Sequence, residues 1–455
     1  MTRSFRYLPL SPEDRAAMLR VIGAGSIDEL LAPIPPELRL GRPLDLPGPL
    51  SEPELLAALG ELARRNRVVA GEDSFLGAGA YRHHVPAVVD HLLQRGEFFT
   101  AYTPYQPEIS QGTLQAIFEF QTLVCQLTGM DVANASMYEG GTAFVEGILL
   151  AVRQHRGRRR RVIVAGEVHP WYRAVLDTYA ANLELELIDV PADPASGRVD
   201  PAAVEAAVDS ATAVVAWQSP NFVGVVERTD LLAAVARGAG AFALQAIAEP
   251  WSLGWLAAPG SLGVDIVVGE LQALGPAVSF GGPYVGMLAT RRGMVRAMPG
   301  RLAGMTEDVE GRRGFVLALA TREQHIRRER ATSNICTNSA LMALAVTIHL
   351  ALLGPGGITR GARLCRAHAH EALRRLTGLP GVRRVHSGPF FNEFVLEFPR
   401  PAAELAADLA GRGILGPVPL SRFRGGEDHR GLLAFTELNG PAAIDRLVAA
   451  MGDVL

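Results

Sequence analysis

The sequence of 455 residues contains no lysine: all 44 of its basic side chains are arginine. A Schiff base to an aldehyde cofactor requires a primary amine that can lose its proton, and an arginine guanidinium stays charged at any ordinary pH. The side chains therefore cannot hold such a cofactor covalently. A genomic preference for arginine explains most of the missing lysines, but not one at a position where the chemistry requires an amine.

The sequence also contains few cysteines and has only a small net charge. Cys125, Cys336 and Cys365 lie far apart without a CxxC spacing, which is typical of reduced thiols. The formal net charge of −3 gives no reason to expect nucleic acid or a membrane surface as a partner. The first residues contain no apolar core of signal-peptide length, and we expect charges to interrupt every apolar run before membrane-spanning length. We therefore predict a cytoplasmic protein without a membrane segment.

The patterning of apolar residues predicts three regions. Residues 1–70 contain helical segments that open at capping pairs, Ser11 with Asp14 and Ser51 with Glu54, and predict a helical arm. Residues 71–305 alternate short β-rich runs with helical patterns, which predicts crossover connections and a mainly parallel sheet covered on both faces. The predicted strands are 161–165, 185–190, 212–217, 241–247, 264–268 and 285–290.

Residues 306–455 change character and predict a smaller α+β domain. The apolar residues repeat with a helical period in two segments and again in a third segment that begins at Pro441. Short apolar runs typical of strands lie between the second and third helical segments. The predicted elements are helices at 339–353 and 359–376 and strands near 393–398 and 431–436.

Long motifs resemble a known family. The stretch 75–143, which contains YTPYQPEISQG and SMYEGGTA, is closely similar to the first subunit of the glycine cleavage system P-protein, glycine decarboxylase, and so are 264–286 and 328–344. The resemblance covers essentially the whole chain. It implies an α/β fold of the aspartate-aminotransferase type (fold type I of the pyridoxal-phosphate-dependent transferases), with a mainly parallel central sheet and a smaller α+β C-terminal domain.

The resemblance also implies an activity and partners. The chain would be one of two homologous subunits of glycine dehydrogenase (aminomethyl-transferring), inactive alone, and subunit 2 would carry pyridoxal phosphate on its lysine. The complex, expected to be a two-plus-two heterotetramer, would release the carboxylate of glycine as CO2. It would then pass the aminomethyl group to the lipoate of H-protein. Fold alone does not decide function, so a structural or regulatory scaffold and a self-sufficient pyridoxal-phosphate enzyme remain alternatives, although the missing lysine argues against the latter.

The resemblance places a degenerate cofactor site in this chain. The lysine position of the family falls at Gln272, whose amide can form hydrogen bonds but no imine. Gln245 lies where fold type I enzymes have the aspartate that stabilises the pyridinium, so the electron sink is weakened. Ser136, Gly141 and Thr142 precede a helix and would be a vestigial phosphate loop. We favour the interpretation that this turn binds nothing, and no metal site is predicted.

The segment 102–110 is predicted to be a functional loop. Tyr102 and Tyr105 lie among prolines, which stiffen a loop and lower the entropy cost of holding a contact surface. By the resemblance, Tyr102, Tyr105, Gln106 and Glu108 would be catalytic contributions to the active site of the partner subunit. Tyrosines that merely pack are the alternative for each residue taken singly.

Histidines near these motifs suggest weaker hypotheses. His83 and His84 would suit the same subunit interface, although a histidine in such a run is more often a surface or packing residue. His169 precedes an apolar helical pattern near where related folds place a ring over the cofactor. We interpret it as the residue that begins this helix.

Overall fold

A computed structural model describes residues 9–66 and 73–455. The chain forms two compact units, Met1–Arg67 and Val68–Leu455. The predicted boundary between residues 70 and 71 lies outside the described residues. The predicted division near residue 305 and the cytoplasmic location stay predictions.

The described part of the first unit is helical. Its helices are α1 (Pro12–Ile22), α2 (Ile27–Leu30) and α3 (Glu52–Arg64). Both predicted capping pairs are confirmed: the Asp14 N–H donates to the Ser11 hydroxyl at 3.1 Å, and the Ser51 N–H donates to the Glu54 carboxylate at 2.8 Å.

A seven-stranded sheet forms the centre of the second unit, and its strand order is β2-β8-β7-β6-β5-β3-β4. Strands β3 to β7 are parallel to one another, and β8 is antiparallel to both of its neighbours, β7 and β2. All six predicted strands belong to this sheet, so the prediction of a mainly parallel sheet is confirmed. The strands in chain order, with the separate short β1, are β1 (Asp73–Ser74), β2 (Val132–Ala133), β3 (Arg161–Ala165), β4 (Glu186–Val190), β5 (Thr212–Gln218), β6 (Phe242–Ile247), β7 (Ile266–Glu270) and β8 (Gly286–Thr290).

Helices cover both faces of this sheet. In β5, Val215 and Trp217 belong to one buried cluster with Phe120 and Leu232, whereas Val214 and Ala216 belong to a second cluster. Side chains of a strand alternate between the two faces, so a buried strand needs apolar residues at every position. The helices in chain order are α4 (Ala87–Leu93), α5 (Gly96–Phe99), α6 (Gln111–Thr128), α7 (Gly140–Gln154), α8 (Pro170–Leu183), α9 (Pro201–Ala207) and α10 (Thr229–Gly238).

A hairpin that the sequence analysis did not predict follows the sheet. Strands β9 (Leu302–Glu307) and β10 (Arg313–Ala318) pair antiparallel. Asp308 shapes the turn by accepting the N–H groups of Glu310 and Arg312, each at 2.9 Å, and Gly311 has a φ of 77°. The Asp and Gly of this turn were the available signal.

A long apolar helix corrects one expectation. After α11 (Gln324–Arg327), helix α12 (Ala340–Leu376) is kinked at Gly354, which has φ 57° and ψ −179° and precedes Pro355. The two predicted helices are therefore confirmed on either side of the kink. Residues 331–359 contain no Asp, Glu, Arg or Lys, so the expectation that charges interrupt every apolar run is wrong. By length and composition alone this helix could cross a membrane, a test that buried core helices also pass.

A four-stranded antiparallel sheet lies near the C-terminus, in the order β11-β12-β15-β14. The predicted strands and the helix at Pro441 are confirmed, and β13 instead pairs with β1. The remaining elements are β11 (Arg383–Arg384), β12 (Glu393–Glu397), α13 (Ala402–Ala410), β13 (Ile414–Leu415), β14 (Val418–Pro419), β15 (Arg430–Ala434) and α14 (Pro441–Val454).

Candidate functional site

Gln272 follows the end of β7 and is buried, at 2% exposure. Its Oε1 accepts the Tyr81 N–H at 3.0 Å, and its Nε2 donates to the carbonyls of Tyr81 and Pro276 at 3.1 and 3.0 Å. Both ends of the amide are therefore engaged with backbone groups. Gln272 also borders a cavity of about 280 Å³ that His83 and His84 line.

Tyr81 connects Gln272 to a buried carboxyl group. Its hydroxyl donates to Glu393 Oε2 at 2.8 Å, and the Ala78 N–H donates to Glu393 Oε1 at 2.7 Å. Burial raises the pKa of Glu393 to about 8, although both hydrogen bonds act in the opposite direction. Glu393 lies at the start of β12 in the C-terminal sheet and was not among the predicted site residues.

Gln245 lies near the end of β6, where the resemblance implies an aspartate in fold type I enzymes. Its Oε1 accepts the Thr229 hydroxyl at 2.9 Å, and its Nε2 donates to the Ser219 carbonyl at 3.2 Å. This buried amide is thus bonded at both ends within the protein, and it provides no negative charge.

The predicted phosphate loop leads into the N-terminus of α7. The N–H of Gly140 donates to Glu270 Oε2 at 3.0 Å, and the N–H of Thr142 donates to Glu139 at 3.0 Å. The Thr142 hydroxyl also bonds the Glu139 carboxylate. Burial raises the pKa of Glu270 to about 8. Two carboxyl groups of the protein itself therefore bind this helix terminus.

Ser136 and Gly141 of the same loop have structural contacts. The Ser136 hydroxyl accepts the Ser339 N–H at 2.9 Å, which joins the loop to the start of α12. A Cβ at Gly141 would lie 3.0 Å from Glu139 Oε2. The interpretation of this turn as a site that binds no anion remains a prediction, and the occupied N–H groups favour it.

The predicted loop 102–110 is held by an arginine that sequence analysis missed. Arg301 is 2% exposed, and its guanidinium donates to the Thr103 hydroxyl at 2.6 Å, to the Tyr105 hydroxyl at 3.0 Å and to the Cys336 carbonyl at 2.9 Å. The guanidinium carbon also lies 5.1 Å from the centroid of the Tyr105 ring, a cation–π distance. Glu323 lies 3.4 Å from Arg301 Nε and balances the buried charge.

The other predicted residues of this loop face outward. Tyr102 is 75% exposed and Tyr105 is 55% exposed, while Gln106 and Glu108 are exposed as well. The structure therefore joins only Tyr105 of the four to a buried polar network. Arg301 gave no sequence signal, because it is one of many scattered arginines and lies about 200 positions from the loop in the chain.

His83 lies between two carboxylates. Its Nε2 is 3.1 Å from Glu249 and its Nδ1 is 2.6 Å from Glu437, and its ring stacks on Trp251 with 4.9 Å between centroids. Burial lowers the pKa of His83, but the carboxylates, Glu249 foremost, outweigh burial and raise the pKa to about 9. Burial raises the pKa of Glu437, but His83 outweighs it and lowers the pKa to about 2. The network holds a protonated imidazole, so His83 is a buried, ion-paired residue, and a role of His83 and His84 at a subunit interface stays a prediction.

Cys365 extends this network. Its Sγ lies 3.7 Å from Glu437, and one ligand atom each of His83, Cys365 and Glu437 lie within 4.8 Å of one another. Both ring nitrogens of His83 already bond carboxylates, so the group is satisfied as an ion-pair network without a metal.

His169 begins helix α8, as predicted. Its Nδ1 accepts the Trp171 N–H at 3.1 Å, and its Nε2 lies 2.9 Å from the Ala78 carbonyl. The ring stacks on Tyr172 with 4.9 Å between centroids, and burial lowers the pKa of His169. A neutral imidazole with these two partners is a helix cap that braces the segment before Tyr81.

Comparison with known proteins identifies relatives of the whole chain. The family model of the glycine cleavage system P-protein matches residues 5–445. A protein of Anaeromyxobacter dehalogenans named probable glycine dehydrogenase (decarboxylating) subunit 1 is 54% identical over 449 residues, which cover 98% of this chain and 99% of the relative.

Solved structures agree with these relatives. A crystal structure of glycine decarboxylase (P-protein) of the glycine cleavage system, in inhibitor-bound form, superposes with a TM-score of 0.88 at 44% identity and covers 99% of this chain and 100% of that one. The sphingosine-1-phosphate lyase of Burkholderia pseudomallei superposes with a TM-score of 0.65 at 17% identity, covers 92% and 94%, and supports the fold alone. The predicted fold class is confirmed.

Proposed function

The chain belongs to the glycine cleavage system P-protein family, and on that premise we propose that it is the subunit without a cofactor of its own. Its relatives are named glycine dehydrogenase (decarboxylating) subunit 1, which makes the chain an enzyme component and implies a second subunit. We propose that subunit 2 carries pyridoxal phosphate.

The observation that carries the proposal is the environment of Gln272. Pyridoxal phosphate requires a lysine amine, and this sequence has none. At the position that the resemblance assigns to the lysine, the Gln272 amide is already bonded to the backbone of Tyr81 and Pro276. Gln245 likewise offers no carboxylate to a pyridinium. The residues present do not fit the cofactor, so we derive no reaction step within this chain.

We propose that the chain acts on the partner's active site through the loop 102–110. Arg301 holds Thr103 and Tyr105 by hydrogen bonds. The backbone that carries the exposed Tyr102, Gln106 and Glu108 is therefore already ordered before a partner binds, which lowers the entropy cost of binding. In this proposal these side chains contact glycine or the cofactor held by subunit 2, and they help to exclude water there.

The remaining partners are proposed from family membership. Pyridoxal phosphate, when bound to subunit 2, supplies the electron sink for loss of the glycine carboxylate. The aminomethyl group is then accepted by the lipoate of H-protein, which docks partly on this chain. Two pairs of subunits associate into a heterotetramer. The relatives' subunit names support the division of labour between two chains.

The experiment that tests this proposal compares the two subunits singly and together. Each chain is purified alone and as a co-expressed complex, and exchange of labelled CO2 into glycine is measured in the presence of H-protein. We expect exchange from the complex and none from this chain alone. Full exchange by this chain without a partner would overturn the proposal.

A scaffold role is the second candidate, favoured by the exposure of the loop residues, which would also suit a docking surface. Tyr102→Ala and Tyr105→Phe, tested in the assembled complex, separate the two functions. A contribution to the partner's site predicts a loss of at least about tenfold in turnover, or ~1.4 kcal/mol. Tyr179→Phe on α8 is the control variant. Unchanged turnover in both loop variants would leave the scaffold role.

A further inference from the structure

The N-terminus of α7 binds carboxyl groups from two different parts of the chain. Such a terminus offers free N–H groups and a positive dipole end, which together favour an anion. Here Glu270 accepts the Gly140 N–H and Glu139 accepts the Thr142 N–H, each at 3.0 Å. The groups that a phosphate would use are thus already bonded to protein oxygens.

Glu270 is held in this position by its own backbone surroundings. Its Oε1 accepts three N–H groups, those of Leu271 at 3.1 Å and of Gln272 and Val285 at 3.0 Å. With the Gly140 N–H on Oε2, four backbone donors converge on one carboxyl group that is 3% exposed. This arrangement resembles the nests of N–H groups that bind phosphate oxygens.

Glu270 also lies two residues before Gln272 on the same segment. The carboxyl group that bonds the helix terminus lies at the last residue of β7, and the amide that occupies the family's lysine position lies in the turn that follows directly. Little free space remains at the terminus, since a Cβ at Gly140 would lie 1.9 Å from the Tyr172 hydroxyl oxygen.

We infer that Glu270, assisted by Glu139, takes the place of a cofactor phosphate, and that these two carboxyl groups exclude phosphate-bearing ligands from this chain. The inference deepens the proposed function and rests on it, because it names the groups that keep the cofactor in the other subunit. The exclusion acts by occupancy: a phosphate oxygen can reach the N–H groups of Gly140 and Thr142 only after these side chains leave.

The test is to remove the carboxyl groups and measure binding of inorganic phosphate to the full-length chain. Calorimetric titration should show no saturable binding to the unmodified chain up to about 10 mM phosphate, and Kd of ~1 mM or lower for Glu139→Ala/Glu270→Ala. Pyridoxal phosphate should bind that double variant at least tenfold more tightly than pyridoxal, which lacks the phosphate.

Glu146→Gln is the matched control, because Glu146 lies on the same helix, is 1% exposed and pairs with Arg153 rather than with the helix terminus. This variant should bind no phosphate. Glu139→Ala alone provides a second test if the Glu270 variants do not fold, because Glu139 is only partly buried. Because it frees only the Thr142 N–H, it should show saturable phosphate binding that is weaker than that of the double variant, whereas the unmodified chain should show none.

Two results would overturn the inference: equal phosphate binding by the unmodified chain and the double variant, or no binding by a folded double variant and by Glu139→Ala. Neither result bears on the requirement for a second subunit. The proposed function fails by a different observation, which is glycine–CO2 exchange by the unmodified chain alone.

Discussion

The Gln272 side chain binds the backbone of Tyr81 in both directions: Oε1 accepts its N–H at 3.0 Å and Nε2 donates to its carbonyl at 3.1 Å. The two residues lie 191 positions apart in the sequence. An amide at this position therefore joins the turn after β7 to the segment before α4. Only a side chain with both a donor and an acceptor can do this.

Replacing Gln272 by lysine should destabilise the protein without creating a cofactor site. Lysine has no acceptor, so the buried Tyr81 N–H loses its partner at a cost of ~1–3 kcal/mol. Urea unfolding measures the loss, and absorption spectra with pyridoxal phosphate should show no new imine band. Gln115→Lys is the control: Gln115 is half-buried on α6 with an exposed hydrogen bond to Glu119, and its replacement should change stability by less than about 0.5 kcal/mol. A Gln272→Lys protein of unchanged stability would contradict the structural role.

Stability should depend on pH through His83 and Glu437. The pKa of His83 is raised from 6.5 to about 9, so its contribution is complete below pH 6.5 and is lost as the pH rises through 9. The pKa of Glu437 is lowered from 4.5 to about 2, so its contribution is present above pH 4.5 and is lost as the pH falls through 2. The pair therefore stabilises the protein most between pH 4.5 and 6.5.

Glu437→Gln should cost ~3–5 kcal/mol near pH 6, because it leaves a buried imidazolium with one carboxylate fewer. It should also flatten the decline in stability between pH 6.5 and 9. Denaturant unfolding at several pH values measures both effects. Glu404→Gln, which removes an exposed pair with Arg400, should change stability by less than about 1 kcal/mol. An unaltered pH profile in Glu437→Gln would count against the ion-pair network.

Arg301→Lys should release the loop 102–110. A lysine ammonium cannot reproduce the planar set of donors that contacts Thr103, Tyr105 and the Cys336 carbonyl. We expect the free energy of local opening of the loop to fall by ~2–4 kcal/mol, with faster amide hydrogen exchange confined to the loop. Arg312→Lys in the exposed turn after β9 is the control. Uniform exchange changes across the whole protein would mean that Arg301 acts on global stability rather than on the loop.

Two glycines of α12 should respond to alanine in opposite directions. A Cβ at Gly361 would lie 2.0 Å from the Trp251 ring, whereas a Cβ at Gly356 would meet nothing within 4 Å. Gly361→Ala should therefore destabilise by ~1–3 kcal/mol through overpacking. Gly356→Ala should stabilise by up to about 1 kcal/mol through a smaller chain entropy in the unfolded state. Thermal unfolding of both variants measures the two changes in stability. Equal changes in the two variants would contradict the packing of Trp251 on this helix.

Local patterns sufficed for most elements of the fold. Continuous apolar runs such as 212–217 predicted the buried strands, and the two helices predicted at 339–353 and 359–376 lie on either side of the kink at Gly354. The hairpin of β9 and β10 escaped because its strands are largely half-exposed or exposed, so they lack a continuous apolar run. Resemblance, rather than pattern, singled out Gln272 and Gln245.

The candidate site was less accessible to sequence reasoning. Glu393, Glu437 and Arg301 were not predicted, since each lies in a different element far along the chain from its partner. Charged residues are common and carry no local signature of burial. Their role in buried ion pairs and hydrogen bonds becomes visible only in the folded protein, where they are removed from water and have only one another as partners.

The sequence by itself determined that no imine can form on a side chain of this protein, because that follows from the absence of one functional group. It also determined where six strands of the central sheet lie along the chain, because hydrophobic periodicity is local. Only the tertiary structure decided that Glu139 and Glu270 bind the N-terminus of α7 and that Arg301 supports the loop 102–110. Hydrogen bonds depend on distances of about 3 Å, and those distances exist only after remote segments have packed together.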